Sequence, residues 1–236
     1  MGLKSADLIP GTLQKHFVFC RMPACYVASC LTPVLQNFDT LMSEVRDPLL
    51  HEFVRNAMYV PEIHQRFLMS PASIDNHHAY PGGLAMHSLE VVELFLEQAH
   101  WPLPLTQTAR ELGIVCALFH DVGKVATDLR DFDPSERRWA HERRGIQLLQ
   151  KPLQRLSQKN PELARALRYH LVDHRTCKGA SGRLLQTLRY ADQASACINN
   201  ELCAVDFGRQ QDDHWILPGS GPSRRYYASM ALEPKP

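Results

Sequence analysis

The strongest constraint on this chain is a pair of histidines on the apolar faces of two predicted helices between His77 and Lys124. In the first helix the inward face is formed, at steps of three and four, by Leu84, His87, Val91 and Leu94. In the second helix an apolar face runs into a polar pair, in the order Leu112, Cys116, Phe119, His120 and Asp121. A buried carboxylate is costly unless it is paired, protonated or bound to a metal ion. Two histidines beside one aspartate therefore favour a divalent cation inside a helical core.

Later predicted helices repeat this pattern of ionisable groups on an apolar face. One histidine follows in AHERRGIQLL, two more lie in PELARALRYHLVDH, and an aspartate ends the apolar face in LRYADQA. An all-helical bundle can bring such side chains from several helices into one interior pocket. The predicted metal ligands are His87, His120, Asp121, His141, His174 and Asp192, with His170, one turn before His174, as an alternative.

Three segments of the sequence resemble those of one enzyme superfamily. HHAYPGGLAMHS, then FHDVGK, then Asp192 in LRYADQA resemble the H…HD…D pattern of the HD superfamily of metal-dependent phosphohydrolases. The similarity spans about residues 41 to 200. The HHAYPGGL segment before the first histidine is similar to that of HD-domain 3'-to-5' exoribonucleases and of MobH-type relaxases. The resemblance implies an all-α fold, the helical bundle of an HD domain.

The resemblance also implies roles for individual residues. The ligands of the H…HD…D centre would be His87, His120, Asp121 and Asp192. Asp121 would bridge the ions if there are two. His141, which is followed four places later by Gly145, matches the third histidine of dinuclear members. Such members commonly show two adjacent histidines where this chain has His174 and Arg175, so the sequence leaves open whether one or two ions bind.

Phosphate ester hydrolysis is the reaction that such a centre predicts. A divalent cation lowers the pKa of water and stabilises an attacked phosphoryl group. Asp121 and Lys124 are the predicted catalytic residues, because a lysine three residues after the aspartate can neutralise charge on a phosphate oxygen. His77, His78 and Arg175 are the predicted substrate-binding residues. The mixed histidine and carboxylate set favours manganese or iron, with magnesium, nickel or zinc as alternatives.

The composition changes on both sides of this central region. We expect residues 1–40 to form an irregular or β-leaning N-terminal arm and residues 41–205 to form the phosphohydrolase domain. Residues 206–236 are rich in proline, glycine and charge, and we expect an irregular C-terminal tail.

Several residues predict where helices begin. Residues 39–69 have a helical pattern that Pro48 and Pro61 interrupt, which predicts two or three short helices before the site. Asn160 followed by Pro161 predicts a helix start, with the asparagine as cap and the proline in the first turn. Thr108 with Glu111 three residues on predicts a capping box for the second motif helix.

Charge and cysteine usage limit the partners and the compartment. Lys and Arg total 26 against 25 Asp and Glu, so a net charge of +1 gives no overall attraction to nucleic acid or to an anionic membrane. The seven cysteines form an odd set without a C-x-x-C pair, which indicates reduced thiols in the cytoplasm. No apolar run approaches the about 20 residues of a transmembrane helix, so we expect no membrane partner. The sequence leaves the oligomeric state open.

These features favour a divalent-metal-dependent phosphohydrolase of the phosphodiesterase or nuclease type, acting on nucleic acid or nucleotides. Single-stranded nucleic acid is a candidate substrate and partner. One alternative is a relaxase-like DNA-processing domain of a mobile element. Another is a degenerate HD module that binds a nucleotide without turnover. Site-specific nicking would distinguish the first alternative, and ligand binding without hydrolysis would distinguish the second.

Overall fold

The computed structural model describes residues 38–73, 76–100, 104–126, 134–173, 182–207, 209–211, 214–217 and 224–227. Most of these residues are helical, beginning with a short helical segment at residues 38–42. The longer elements that follow are α1 Pro48–Met58, α2 Pro61–Arg66, α3 Gly83–Gln98, α4 Gln107–Phe119, a 3-10 helix Val122–Ala126, α5 Pro134–Lys159, α6 Pro161–Asp173 and α7 Arg183–Phe207. The prediction of an all-α fold is confirmed for this helical body.

Packing around α4 places the end of that helix inside the core. Helix α3 packs against α4 and α7, while α5 contacts α1, α6 and the 3-10 helix. The ring of Phe95 lies over Gly113, where an added Cβ would come within 2.0 Å of the ring, and Phe53 meets Phe119 edge-on with ring centroids 5.9 Å apart. Residues 111–120 are all buried. The polar pair that begins at His120 is therefore surrounded by protein.

The short helices predicted before the site and the helix start predicted at Pro161 are confirmed, and the structure adds that α1 and α2 begin at Pro48 and Pro61. Asp47 lies directly before α1, and its carboxylate accepts hydrogen bonds from the N–H groups of Leu49 at 2.7 Å and Leu50 at 3.2 Å in the first turn. Asn160 caps α6 in the same way, accepting the N–H of Leu163 at 3.0 Å. These caps satisfy N–H groups that the first turn of a helix leaves without a backbone partner.

The predicted capping box of α4 is wrong. Thr106, not Thr108, is the cap, and its side chain accepts the N–H of Ala109 at 3.3 Å. Glu111 instead accepts the backbone N–H of Asp47 at 2.8 Å. Burial alone would raise the pKa of Glu111, but hydrogen bonds from Gln107 and the backbone hold it below its ordinary value. A tertiary partner has therefore taken the carboxylate that a local cap would use, and it ties α1 to α4.

A tight turn before α3 brings the histidine loop against the start of that helix. Gly82 has φ of 83°, a left-handed conformation that favours glycine. Gly83 allows contact with the loop, since a Cβ there would lie 2.0 Å from the His78 carbonyl oxygen. Glycines at both positions let the backbone of residues 77–83 fold back onto α3.

The described part of the C-terminal region contains a three-stranded antiparallel sheet. Its strands are β1 Arg209–Gln211, β2 His214–Leu217 and β3 Arg224–Tyr227, in the order β1-β2-β3. Trp215 pairs with Gln210 on one side and with Tyr226 on the other, and β1 and β2 contact α7. The prediction of an irregular tail is wrong for these residues, because β-favouring residues in short strands are stabilised by pairing with one another. Residues 1–37 of the predicted N-terminal arm lie outside the described residues.

Two further sequence expectations concern thiols and membranes. The cysteines with described side chains, Cys116, Cys197 and Cys203, are not in disulfide bonds, and burial raises the pKa of Cys116. Among the described helices, none combines the length and the apolar character that crossing a bilayer requires.

Candidate metal centre

Four of the predicted ligands meet between α3, α4 and α7, and we refer to them as the His–Asp cluster: His87, His120, Asp121 and Asp192. His87 belongs to α3, His120 forms the C-terminal cap of α4 with Asp121 next to it, and Asp192 belongs to α7. His87 and Asp121 are completely buried, and His120 is 7% exposed. The Asp192 side chain is 14% exposed and is the most accessible of the four. Three helices thus deliver two imidazoles and two carboxylates to one interior position.

The donor atoms of the cluster have the spacing of ligands around one ion. The Nε2 atoms of His87 and His120 are 3.2 Å apart, and Asp192 Oδ1 lies 3.2 Å from the first and 3.5 Å from the second. Asp121 Oδ2 lies 3.7 Å and 3.5 Å from the same two nitrogens. Ligands at about 2.0 to 2.2 Å from one ion lie roughly 3 to 3.5 Å from each other. His87, His120 and Asp192 therefore form a candidate metal-binding cluster, which Asp121 adjoins.

A hydrogen bond within its own helix orients His120. Its Nδ1 lies 2.7 Å from the carbonyl oxygen of Ala117. A carbonyl oxygen only accepts, so Nδ1 carries a hydrogen and donates it. In the neutral ring the other nitrogen, Nε2, then carries the lone pair. That nitrogen faces His87 and is available as a metal ligand.

A series of hydrogen bonds between side chains orients His87 in the same way, with Nε2 toward the cluster. His87 Nδ1 lies 3.0 Å from Ser195 Oγ, and Ser195 Oγ donates to Glu90 Oε2 at 2.9 Å. On the far side, His78 Nε2 lies 3.0 Å from the same Glu90 oxygen. Because the one hydroxyl hydrogen of Ser195 is directed at Glu90, its oxygen accepts from His87 Nδ1. The Nε2 lone pair of His87 is therefore also directed into the cluster.

The two histidines differ in their affinity for a proton when no cation is bound. Burial lowers the pKa of His87 to about 4, so that its ring is neutral at pH 7. Burial also disfavours a charged His120, but the carboxylates of Asp121 and Asp192 outweigh this effect and raise its pKa to about 9. The cluster thus attracts positive charge, which a proton on His120 supplies in the absence of a cation. Nitrogen lone pairs and carboxylate oxygens are also the donors that divalent transition metals prefer, so these residues fit a metal ion.

Asp121 links the cluster to Lys124 and His141. Its Oδ2 forms an ion pair with Lys124 Nζ on the 3-10 helix, while its Oδ1 lies 3.4 Å from His141 Nε2 on α5. His141 is 6% exposed. The 3-10 helix and α5 approach closely because Gly123 has no side chain; a Cβ there would lie 1.6 Å from the His141 carbonyl oxygen. One oxygen of Asp121 thus faces His87 and His120, and the other faces His141.

The structure places the predicted substrate-binding histidines next to the cluster, but in different environments. The His77 ring is partly buried with its centroid 4.9 Å from that of His87, and burial together with positive neighbours lowers its pKa to about 2. His78 is completely buried, with its ring against Glu90 and its backbone N–H donated to Asn199 Oδ1 at 2.8 Å. His77 therefore borders the cluster, whereas His78 is part of the protein interior.

The remaining predicted residues cannot be located at the cluster. His174 and Arg175 lie outside the described residues. His170 lies in the last turn of α6, is partly buried, and packs its ring against Tyr169 with centroids 5.2 Å apart.

Three residues next to the predicted ligands were not predicted from the sequence: Glu90, Ser195 and Asn199. All three are buried, with exposures of 4%, 0% and 2%. A signal existed in their spacing. Glu90 follows His87 by three residues, and Asp192 is followed at steps of three and four by the other two, so each shares a helix face with a ligand.

Comparison with known proteins gives one family. A family model named TraI_2 and described as a putative helicase matches residues 58–202, a range that contains the whole His–Asp cluster. Neither the curated proteins nor the solved structures contain a match.

Proposed function

We infer the function from a premise that the family match establishes, namely that this chain belongs to the TraI_2 family, described as a putative helicase. We propose that the chain is a divalent-metal-dependent phosphohydrolase of the HD type, which hydrolyses phosphodiester bonds of nucleic acid or nucleotides. The family description associates the chain with nucleic-acid processing. The chemistry comes from the residues. The 236 residues contain no G-x-x-x-x-G-K-[ST] segment, the phosphate-binding loop of ATP-driven helicases, and carry the His–Asp cluster instead.

The observation that carries the proposal is the orientation of the two imidazoles. Both Nδ1 atoms are engaged in hydrogen bonds, and both Nε2 atoms face each other at 3.2 Å beside two carboxylates. When bound there, a divalent cation would supply Lewis acidity and lower the pKa of water at neutral pH. We favour manganese or iron for this mixed donor set. Asp121 Oδ1 and His141 support a second ion position, for which we propose His174 as a further ligand.

Lys124 and His77 are the residues that we propose to act on the substrate. Lys124 holds the carboxylate of Asp121 and brings a positive charge to the edge of the cluster. It would stabilise negative charge that grows on a phosphate oxygen. His77 borders the cluster and, with its pKa near 2, is a neutral ring at pH 7. It can donate a hydrogen bond to a phosphate oxygen, but in this environment it is a poor source of a proton for a leaving group.

A groove with two arginines in its wall is a candidate site for an anionic part of the substrate. It has a volume of about 500 Å³ and is lined by Arg66, Arg144, Gln147 and Val125, with Glu62 also in its wall. Val125 follows Lys124 on the 3-10 helix, and Arg144 follows His141 by three residues on α5, so two elements that line the groove also carry proposed site residues. We propose that it holds phosphates adjoining the cleaved bond. Arg144→Ala should then raise KM by about tenfold with little change in kcat, whereas Arg165→Ala, in an exposed pair with Glu162, should change neither.

Metal-dependent cleavage by matched variants tests the proposal. Wild type, His120→Ala and Asp121→Ala would be assayed with Mn²⁺ against single-stranded RNA and DNA, cyclic dinucleotides and phosphomonoesters. We expect the two variants to lose cleavage while circular dichroism shows their helices retained. The control is His64→Ala, which removes an exposed histidine stacked on Tyr59 and should keep full activity. Cleavage at the wild-type rate in both cluster variants would exclude the proposed centre.

A second candidate function is relaxase-like DNA processing, which the family match favours. It predicts nicking of supercoiled DNA at one sequence, where a nuclease would degrade a strand from an end or without sequence preference. Mapping the cleaved ends on a supercoiled plasmid separates the two. A protein that binds Mn²⁺ and a nucleotide but turns over none of these substrates would instead be a degenerate binding module.

A further inference from the structure

Glu90, Ser195 and His78 form a buried line of side chains that ends on the metal-facing histidine of α3, and we call these three residues the relay. The contacts are 3.0 Å from His87 Nδ1 to Ser195 Oγ, 2.9 Å from Ser195 Oγ to Glu90 Oε2, and 3.0 Å from Glu90 Oε2 to His78 Nε2. We propose that the relay selects the Nδ1–H tautomer of His87, so that its Nε2 lone pair is ready for a cation before the cation arrives. This inference rests on the metal centre of the proposed function.

The direction of the relay follows from the number of hydrogens available. Ser195 has one hydroxyl hydrogen, and a carboxylate can only accept, so this hydrogen is donated to Glu90. The Ser195 oxygen can then serve His87 Nδ1 only as an acceptor. Without Glu90, the Ser195 hydroxyl would be free to rotate and donate to Nδ1. His87 would then carry its hydrogen on Nε2, the atom that a cation needs.

The relay acts against an opposing interaction inside the cluster. Asp192 Oδ1 lies 3.2 Å from His87 Nε2 and, when His120 is neutral and no cation is present, favours a hydrogen on that nitrogen. His120 needs no such device, since the carbonyl oxygen of Ala117 in its own helix fixes its tautomer. Because Asp192 favours the tautomer of His87 that cannot bind a cation through Nε2, His87 needs an orienting group on Nδ1. Metal-binding histidines commonly have such a group.

The far end of the relay is held by backbone contacts. His78 has φ of 50°, a left-handed conformation that is uncommon outside glycine. Its N–H is donated to Asn199 Oδ1 at 2.8 Å, and its carbonyl oxygen accepts the N–H of Ala72 at 3.1 Å. Such a conformation persists where the surroundings determine it strongly. These contacts keep the His78 ring beside Glu90 and thereby keep the Glu90 carboxylate directed at Ser195.

Four variants and one control separate the relay from general packing. Ser195→Ala removes the hydroxyl and Glu90→Leu removes the acceptor, whereas Ser195→Thr and Glu90→Gln retain a hydroxyl and an acceptor oxygen. Ser88→Ala is the matched control, because Ser88 is a completely buried serine of α3, next to His87 in sequence, that takes no part in the relay. The first readout is the His87 tautomer in the metal-free protein at pH 10, where His120 is neutral and donates no hydrogen bond to His87, from long-range ¹H–¹⁵N correlation spectra of the ring. The second is the Mn²⁺ dissociation constant, from competition with a chelating dye.

We expect wild-type His87 to be the Nδ1–H tautomer and the population to shift toward Nε2–H in Ser195→Ala and Glu90→Leu. Mn²⁺ binding should weaken by about 10- to 100-fold in these two variants and should recover in Ser195→Thr and Glu90→Gln. Ser88→Ala should bind Mn²⁺ as wild type does. If wild type binds Mn²⁺ and Ser195→Ala binds it equally well, or if wild-type His87 already carries its hydrogen on Nε2, the relay is overturned. A wild-type protein that binds no Mn²⁺ would overturn the proposed function as well.

Discussion

The two histidines of the cluster are held by two very different parts of the molecule. His120 is oriented by Ala117 three residues before it, and the aspartate that follows it is paired with Lys124, so that this half of the site lies within a single turn-rich segment. The orientation of His87 depends on Ser195, which lies 108 residues later in the sequence. The half of the proposed centre around His120 is therefore a local motif. The other half exists only when α3 and α7 are packed together.

The local half should be most easily broken at Gly123. Its position leaves no room for a Cβ, which would lie 1.6 Å from the His141 carbonyl oxygen and 2.6 Å from the Gly145 backbone nitrogen. Gly123→Ala should therefore lower the free energy of unfolding by about 3 kcal/mol, measured by urea denaturation. Gly145→Ala is the control, because the nearest atom to its Cβ would be 3.4 Å away. Its effect should stay within about 1 kcal/mol, and equal losses in both variants would mean that this close approach is not the constraint.

Charge in the local half can be removed at Lys124 with little change in shape. Lys124→Met should lower kcat by about 100-fold, because it removes the positive charge that we propose to stabilise a phosphate oxygen. Steady-state kinetics on the substrate found in the cleavage panel would measure this. Arg165→Met serves as the control, since Arg165 lies in an exposed pair with Glu162. A decrease no larger than that of the control would remove Lys124 from the catalytic residues.

The pH dependence of metal affinity should separate the two histidines. The pKa of metal-free His120 is raised above its ordinary value to about 9, so at pH 7 a cation must displace a proton from it. Apparent affinity for Mn²⁺, measured anaerobically, should rise by about tenfold per pH unit between pH 7 and 9 and then level off. His87, with its pKa lowered to about 4, contributes no dependence in this range. Affinity that stays constant from pH 7 to 9 would contradict the charge that we assign to His120.

The smallest expected effect concerns the start of α4, the helix whose end carries the local half. Thr106→Ala removes the observed cap and should lower the free energy of unfolding by about 1 kcal/mol. Thr108→Ala removes an exposed threonine that the capping-box pattern had favoured and should leave thermal unfolding nearly unchanged. The reverse order of effects would restore the capping box predicted from the sequence.

The same contrast explains how far the sequence could predict the site. His87, His120 and Asp121 were predictable because helical periodicity is a local property, and it shows which residues share the apolar face. Glu90 and Ser195 were not, because a polar residue on a helix acquires its meaning from a partner on another helix. A buried glutamate is costly unless such a partner exists. Only the packing of α3 on α7 reveals that it does.

The fold features that were predicted wrongly from the sequence also depend on contacts between distant residues. The cap of α4 was misassigned because Glu111, the expected partner of Thr108, bonds to Asp47, which is 64 residues away. The three strands after α7 were missed because each is only three or four residues long and is defined by its pairing. The helix start at Pro161 was predictable because an asparagine cap and a proline act within the first turn.

Helix α7 provides a proposed metal ligand, a relay group and a clamp for the histidine loop from one face, through Asp192, Ser195 and Asn199. A slip of α7 by a single residue would rotate that face by about 100° and withdraw all three contributions together. Strand β1 begins at Arg209, shortly after this helix, and both β1 and β2 contact the helix. Insertions or truncations at the C-terminal end of α7 should therefore act on the centre as a whole, switching it off in one step instead of weakening its parts in turn.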